Sequence, residues 1–212
     1  VDPAFSTGNS FPSTSSMGCP QTIEALMPTS SGKLYVGGTL NVYNGVSVSS
    51  LLRLNQDGTL DSTFMSGFGA ICNIPTVGDL APAGDGTGDL YATLWVGPLY
   101  RLHDTGAGVA NFKTNTSNAR GSRIAVTQDG SGDVLLSADI RLFRYNSSGE
   151  LLTAPTFIPP TMEGGAFTIV PIPDDTGDVY IGGTVTTYNG AAVNHFARIH
   201  ADGSLASIVS SP

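Results

Sequence analysis

Carboxylate pairs on glycine-rich turns are the residues of this sequence whose types and spacing could do chemistry. Three turns share the pattern Asp-x-Ser/Thr-Gly-Asp, and their aspartates are Asp85 and Asp89, Asp129 and Asp133, and Asp174 and Asp178. Ca²⁺ binds oxygen ligands, so each pair is a candidate cation ligand set. The alternative is a tight hairpin, in which Asp and Ser bind backbone groups and Gly supplies a positive φ. A fourth turn, Thr29–Lys33, ends in a lysine. Because a lysine at this position would repel a cation, the four turns together favour the hairpin and no cofactor, and Ca²⁺ remains the alternative.

Two Tyr-Asn-Gly segments form the second group of candidates. They contain Tyr43 and Asn44, and Tyr188 and Asn189, within insertions at 39–50 and 184–195. Exposed Tyr, Asn and His side chains suit contacts to carbohydrate or protein, so these four residues and His195 are candidate ligand-binding residues. Trp95, where a short link replaces the insertion, is a further candidate because it could stack on a sugar ring. The alternatives are a type I′ hairpin turn at Asn-Gly and internal packing for the tryptophan.

Composition and motifs argue against several classes of function. The net charge is −8, so the chain lacks the cationic field that binding to nucleic acid or to an anionic membrane requires. No apolar run reaches membrane-spanning length. The chain has three histidines and three glutamates, and no H-E-x-x-H, C-x-x-C or G-x-S-x-G motif. We therefore expect no nucleic-acid partner, no membrane insertion and no enzyme activity.

The elements that must position these residues form a fourfold repeat. In each unit an apolar strand leads to a glycine, which opens a second strand, and a third strand carries an arginine in fixed register. The glycines are Gly32, Gly88, Gly132 and Gly177, and the arginines are Arg53, Arg101, Arg144 and Arg198. A fourth short strand is expected at Leu60–Phe64 and its equivalents. Four short antiparallel strands in a unit of this length match one β-propeller blade.

The repeat predicts an all-β, β-propeller-like fold of four four-stranded antiparallel blades, because one sheet cannot bury both of its own faces. The Gly-Gly, Tyr-Asn-Gly, Arg-Leu-Asn and Asp-Gly-Thr-Leu-Asp elements, clearest in the first and fourth units, resemble the delta-60 repeat. That is a β-propeller-like repeat of large bacterial secreted and surface proteins. The resemblance implies this architecture and a secreted or cell-surface location in bacteria, and it implies no catalytic residues.

We expect one repeat domain over residues 1–212, with units at approximately 6–64, 65–112, 113–157 and 158–212. A closed four-bladed ring and an arc of a larger propeller both remain open, as does the oligomeric state. In a closed ring the insertions of units one and four would be neighbours. Residues 2–5 repeat the unit ending at 61–64. This predicts either a piece of a larger polypeptide or a strand that closes the ring.

Two further pairings follow from equivalent positions in the repeat. We expect each arginine to form a structural ion pair with a carboxylate a few residues later, the candidates being Asp57, Asp61, Asp104, Glu150 and Asp202. Cys19 and Cys72 occupy nearly equivalent positions of units one and two. We expect them to lie close together, either as a disulfide or as two separate thiols.

The expected function is a non-catalytic ligand-binding or adhesion module that recognises glycan or protein through loops on one propeller face. The alternative is a structural spacer of a large exoprotein, and an enzyme with a loop-built site comes third. The unequal insertions favour binding, because a spacer has no reason to vary one face.

Overall fold

The protein is described here by a computed structural model that covers residues 11–12, 20–68, 76–110, 112 and 123–206. In chain order the strands are β1 (Thr22–Pro28), β2 (Leu34–Thr39), β3 (Val42–Tyr43), β4 (Val46–Ser47), β5 (Leu51–Leu54), β6 (Val77–Pro82), β7 (Leu90–Leu94), β8 (Leu99–Leu102), β9 (Arg123–Val126), β10 (Val134–Ala138), β11 (Arg141–Tyr145), β12 (Met162–Glu163), β13 (Ala166–Pro171), β14 (Val179–Gly183), β15 (Thr187–Tyr188), β16 (Ala191–Ala192) and β17 (Phe196–Ile199). Among these residues there is no helix of the length and apolarity needed to cross a membrane. The all-β prediction is confirmed for this part of the chain.

Four three-stranded antiparallel sheets form the body of the protein. Their strand orders are β1-β2-β5, β6-β7-β8, β9-β10-β11 and β13-β14-β17. The strand after the repeated glycine is central in every sheet, and the arginine-bearing strand lies on one side of it. Two small ribbons, β3-β4 and β15-β16, come from the insertions of units one and four, and the second is joined by β12 from the segment before β13.

The expectation of four strands per unit is wrong, because the fourth strand is reduced to one bridging residue pair. The bridges are Leu54 with Leu60, Leu102 with Gly108, Tyr145 with Leu151, and Ile199 with Leu205. In unit one the chain then turns at once, since the Asp61 carboxylate accepts hydrogen bonds from the backbone and hydroxyl of Thr63. The tail that follows contacts the next unit instead of extending its own sheet: the Met65 N–H donates to the Thr105 carbonyl at 2.9 Å.

Consecutive units pack by opposite faces of their sheets. We call the face of unit one with Met27, Tyr35, Leu51 and Arg53 its forward face, and the face with Leu26, Val36 and Leu52 its rear face; equivalent residues define these faces in other units. The strand register places the members of each set on one side of the sheet. Three apolar clusters join the forward face of one unit to the rear face of the next, between units one and two, two and three, and three and four.

The four sheets follow one another in series along their first strands. Strand β1 contacts β6, β6 contacts β9, and β9 contacts β13. The forward face of unit four and Leu26 on the rear face of unit one are exposed. In the described residues, the packing that joins consecutive units is therefore not repeated between unit four and unit one. The neighbouring insertions expected of a closed ring are not observed.

Candidate functional site

The repeated arginines and the acidic turns form one structure. Arg144 Nε donates to Asp133 at 2.9 Å, and its Nη2 donates to Asp129 at 2.7 Å. Arg101 binds Asp85 and Asp89 in the same way. The expected arginine–carboxylate pairing is confirmed. However, the partners in these units are the acidic turns before the arginine strand, not Asp104, Glu150 or Asp202 after it.

Unit one reaches the same result with different residues. Its turn offers no aspartate, and Arg53 Nε instead donates to Asp61 at 2.7 Å. Lys33, which stands where the other turns have their second aspartate, also binds Asp61, at 2.7 Å. In the sequence, unit one lacks the turn aspartates of the other units and carries Asp61 where they have no carboxylate. This coincidence is the signal that the arginines and the acidic turns belong to one network.

Each of the first three arginines also reaches into the following unit. The Nη1 groups of Arg53, Arg101 and Arg144 donate to the backbone carbonyls of Asp104, Ser147 and Ala201 at 2.7, 3.1 and 2.6 Å. The acceptor is always the third residue after the next unit's arginine. Each of these guanidinium groups therefore binds a carboxylate of its own unit and a carbonyl of the neighbouring unit, which explains its strict period.

The arginine contacts shift the acidity of the carboxylates they touch. Burial raises the pKa of the Asp61 carboxyl, but hydrogen bonds from Lys33, Thr63 and Arg53 outweigh burial and hold that pKa well below its usual range. Burial also raises the pKa of the Asp129 carboxyl, but hydrogen bonds from its own turn and from the arginine of its unit outweigh burial and lower that pKa. Both groups are therefore carboxylates at neutral pH and serve as acceptors in the network.

The candidate cation ligands are occupied by this network. Asp85, Asp89, Asp129, Asp133, Asp174 and Asp178 all bind the arginine of their own unit. A cation at any of the three turns would have to compete with a guanidinium for the same oxygens. In the residues that the structure describes, no three His, Cys, Asp or Glu side chains are grouped as metal ligands.

The Tyr-Asn-Gly tyrosines anchor the two ribbons from below. The rings of Tyr43 and Tyr188 are 1% and 0% exposed. Their hydroxyls donate to the carbonyls of Gly58 and Gly203, at 2.5 and 2.7 Å, which are equivalent turn positions. Burial raises the pKa of both phenols. The expectation that these tyrosines are exposed for ligand contact is wrong, because they are needed to hold the insertion against its own sheet.

The ribbon tips remain exposed above these anchors. Asn44 and Asn189 have φ values of 48° and 50°, and the glycines after them have φ values of 78° and 80°, the positive pair that a type I′ turn requires. Asn189 also accepts a hydrogen bond from the Thr161 N–H at 2.9 Å. His195 closes the second insertion at a φ of 70° and is exposed, and its N–H donates to the Val185 carbonyl.

The other candidates occupy separate places. The Trp95 side chain belongs to a residue that is 45% exposed, and the backbone N–H of Trp95 donates to the Thr76 carbonyl. Beside the first ribbon, a cleft of ≈ 470 Å³ is lined by Val48, Leu60 and Phe64 among other residues. Cys19 and Cys72 lie outside the described residues, so their pairing stays a prediction.

The family described as "Domain of unknown function (DUF5122) beta-propeller" matches residues 29–64 and 176–205. No curated protein matches the chain. The two matches support a propeller-like repeat. They cover the glycine strand, the ribbon, the arginine strand and the following turn of units one and four, the two units that carry a Tyr-anchored ribbon.

The matched units share more than their sheets. In both, an insertion residue two before the ribbon, Leu40 or Val185, is buried with the tyrosine against the rear face. Units two and three reach the arginine strand without this insertion. The ribbon is therefore an addition to a common sheet, and the sheet does not require it.

Proposed function

We propose that this chain is a non-catalytic recognition module of a bacterial secreted or cell-surface protein, of the kind that the resemblance to the delta-60 repeat implies. It binds glycan or protein through the two ribbons. The observation that carries the proposal is the construction of each ribbon: a buried tyrosine fixes its base, and a polar turn stands exposed at its tip. Such a fixed, exposed loop loses little conformational entropy when it binds a partner.

Two further features support recognition at the first ribbon. Val46, next to the Asn44-Gly45 turn, is 53% exposed although it is apolar. The cleft beside this ribbon has mostly apolar walls, with four serines and Asp61 among its lining residues; the hydroxyls of two of these serines, Ser49 and Ser66, lie 2.5 Å apart. A concave, mostly apolar surface with a few polar groups is the usual form of a ligand site.

The binding test removes the tip side chains and leaves the backbone unchanged. Asn44, Asn189 and His195 all have positive φ, where glycine is favoured, so Asn44→Gly, Asn189→Gly and His195→Gly keep the turns. Asp139→Gly is the matched control, because Asp139 also has a positive φ, 52°, and lies on an exposed turn outside the ribbons.

The fluorescently labelled chain is applied to a glycan array and to an array of purified extracellular proteins. The proposal expects a bound glycan or protein whose dissociation constant rises about tenfold or more in the triple variant, equivalent to about 1.4 kcal/mol, and is unchanged in Asp139→Gly. Binding that survives in the triple variant contradicts recognition by the ribbons.

The second candidate function is a structural spacer of a large exoprotein. Its supporting observation is that the sheet packing is the same at all three junctions, with the forward face exposed in unit four and Leu26 exposed on the rear face of unit one. A chain that binds neither array, and is as stable as before in the triple variant, would favour the spacer.

A further inference from the structure

The forward face of unit four is exposed although its counterparts are buried. Leu51, Leu99 and Leu142, at one position of the forward face, are 1%, 2% and 0% exposed, whereas Phe196 at that position is 60% exposed. Val170, the counterpart of Met27, is 51% exposed. Tyr180 stacks on Phe196 with a centroid distance of 5.2 Å. Unit four thus presents an ordered apolar surface of the kind that marks an interaction site.

The rear face of unit one shows the complementary exception. Leu26 is 59% exposed, whereas its counterparts Leu80, Ile124 and Ile169 are between 6% and 9% exposed because the preceding unit covers them. The rest of this rear face is buried under the first ribbon, and Phe11 packs on the ribbon's Tyr43. The ribbon is no obstacle to docking, since unit four carries an equivalent ribbon and its rear face packs on unit three.

The arginine network shows the same incomplete state. The side chains of Arg53, Arg101 and Arg144 are 10%, 9% and 6% exposed, and that of Arg198 is 38% exposed. Arg198 binds Asp178 like its counterparts. Within the described residues it makes no bond to the carbonyl of a following unit. The equivalent acceptor at a rear face is the carbonyl of Gln56, an exposed residue in unit one.

We propose that the forward face of unit four binds the rear face of unit one in a second copy of this chain, head to tail. The contact continues the three junctions already present within the chain: Phe196 and Val170 cover Leu26, and Arg198 Nη1 donates to the partner's Gln56. Because the two surfaces differ, the interface is heterologous, and further copies add until a ring closes or a filament grows.

The test measures association by sedimentation velocity over a range of about 1 to 100 μM, where weak protein contacts form. The wild-type chain should pass from monomer to dimer and larger species as its concentration rises. Phe196→Glu and Leu26→Glu each place a charge in one half of the interface, and each should raise the dissociation constant about 30-fold or more. Both side chains are exposed, so the variants keep the fold. Ile140→Glu, at a position that is 54% exposed on a turn of unit three, is the control and should associate like wild type.

An equimolar mixture of the two variants separates this arrangement from others. Each variant retains the half that the other has lost, so the mixture should form a one-to-one dimer and nothing larger. A wild-type chain that stays monomeric overturns the proposal. So does a mixture that stays monomeric, or a loss of association in Phe196→Glu alone, which would indicate two forward faces in contact.

Discussion

The junction between units three and four and the open forward face of unit four contain the same structure in two environments. Arg144 and Arg198 each bind two carboxylates of their own turn. Their side chains are 6% and 38% exposed, and only Arg144 has a following unit beside it. The comparison shows that the ion pair is determined by the sequence of one unit, whereas its burial is supplied by the neighbour.

Stability should therefore be concentrated at the junctions. A charge pair that is shielded from water has stronger mutual attraction and a larger penalty if one partner is removed. The same pair at an exposed face is screened and contributes little. The following predictions test whether burial by a neighbour, and not the pairing itself, determines the contribution of each residue.

Acid should produce the largest effect, because it protonates together several paired carboxylates whose pKa values are lowered, namely Asp61, Asp85 and Asp129. The folded-state pKa values of Asp61 and Asp129 lie below the ordinary value of 3.8. The stability from these groups is fully present above that value and is lost as the pH falls towards the folded pKa. Each such carboxylate contributes about 2–3 kcal/mol, lost progressively below about pH 5. Urea unfolding measured between neutral pH and pH 2 should show this decline, and a flat profile would contradict it.

Asp79 should have the opposite effect on stability in acid, so its contribution has to be measured separately from this decline. Burial raises its pKa, although hydrogen bonds from the backbone N–H groups of Ile124 and Leu80 oppose the shift. A raised folded-state pKa means that Asp79 favours the folded state when protonated. In Asp79→Asn the acid decline should become steeper, because a group that offsets it is removed.

Removing a junction arginine should have the next largest effect. Arg144→Ala leaves Asp129 and Asp133 without a cation and should lower the free energy of unfolding by about 3–5 kcal/mol. Arg198→Ala removes the equivalent carboxylate contacts at the open face, without a bond to a following unit in the described residues, and should cost clearly less. Urea unfolding of both variants measures the difference. Equal losses would show that pairing within the unit, and not the neighbour, determines the contribution.

Two glycines with the same backbone conformation compare a junction with an exposed tip. Gly203 has a φ of 86°, and an added Cβ would lie 2.5 Å from the Ile158 carbonyl oxygen and 3.0 Å from the ring of Phe157, where the chain passes from unit three to unit four. Gly190 has a φ of 80° and no atom within 4 Å of that point. Gly203→Ala should cost about 2–4 kcal/mol from backbone strain and the clash. Gly190→Ala should cost about 1–2 kcal/mol from strain alone. Thermal unfolding tests the order.

Removing a single hydroxyl should have a smaller effect than removing a junction arginine. Tyr188→Phe leaves the Gly203 carbonyl without its side-chain donor in a buried site, and should cost about 1–3 kcal/mol. Tyr180→Phe, in β14 of the same unit but on the open forward face, is the matched control and should change stability little. If both variants unfold at the same temperature as wild type, the proposed ribbon anchor is wrong.

Periodicity was the part of the fold that the sequence predicted well. In every unit the strand predicted after the repeated glycine is the central strand of a three-stranded sheet, and the strand predicted to carry the arginine pairs with it. The prediction of a fourth strand was wrong because in each unit only one residue after the turn, Leu60, Gly108, Leu151 or Leu205, bridges to the arginine strand. In unit one, a hydrophobic residue followed by a turn-forming aspartate fits both a short strand and a tail that leaves the sheet. Local pattern alone cannot separate these two structures.

The site was predicted less well for a different reason. The tyrosines were expected at the surface because Asn-Gly marks a hairpin tip, but the residue before a tip can point towards the sheet. The partners of the arginines were missed because the acidic turn precedes them by 11 to 20 residues. Pairing at that distance depends on how strands stand side by side, which becomes certain only once the sheet order is known.

The bond from each arginine to the next unit also has a consequence for synthesis. The acceptor carbonyls lie 51, 46 and 57 residues after Arg53, Arg101 and Arg144. A ribosome adds about 50 residues in roughly 3–10 seconds at ordinary rates. During that interval the following unit does not yet exist, so the forward apolar face of a newly made unit has nothing to cover it. The array is therefore completed in the direction of synthesis: the rear face of each new unit covers the forward face of the unit before it, and its own forward face stays exposed until the next unit is made.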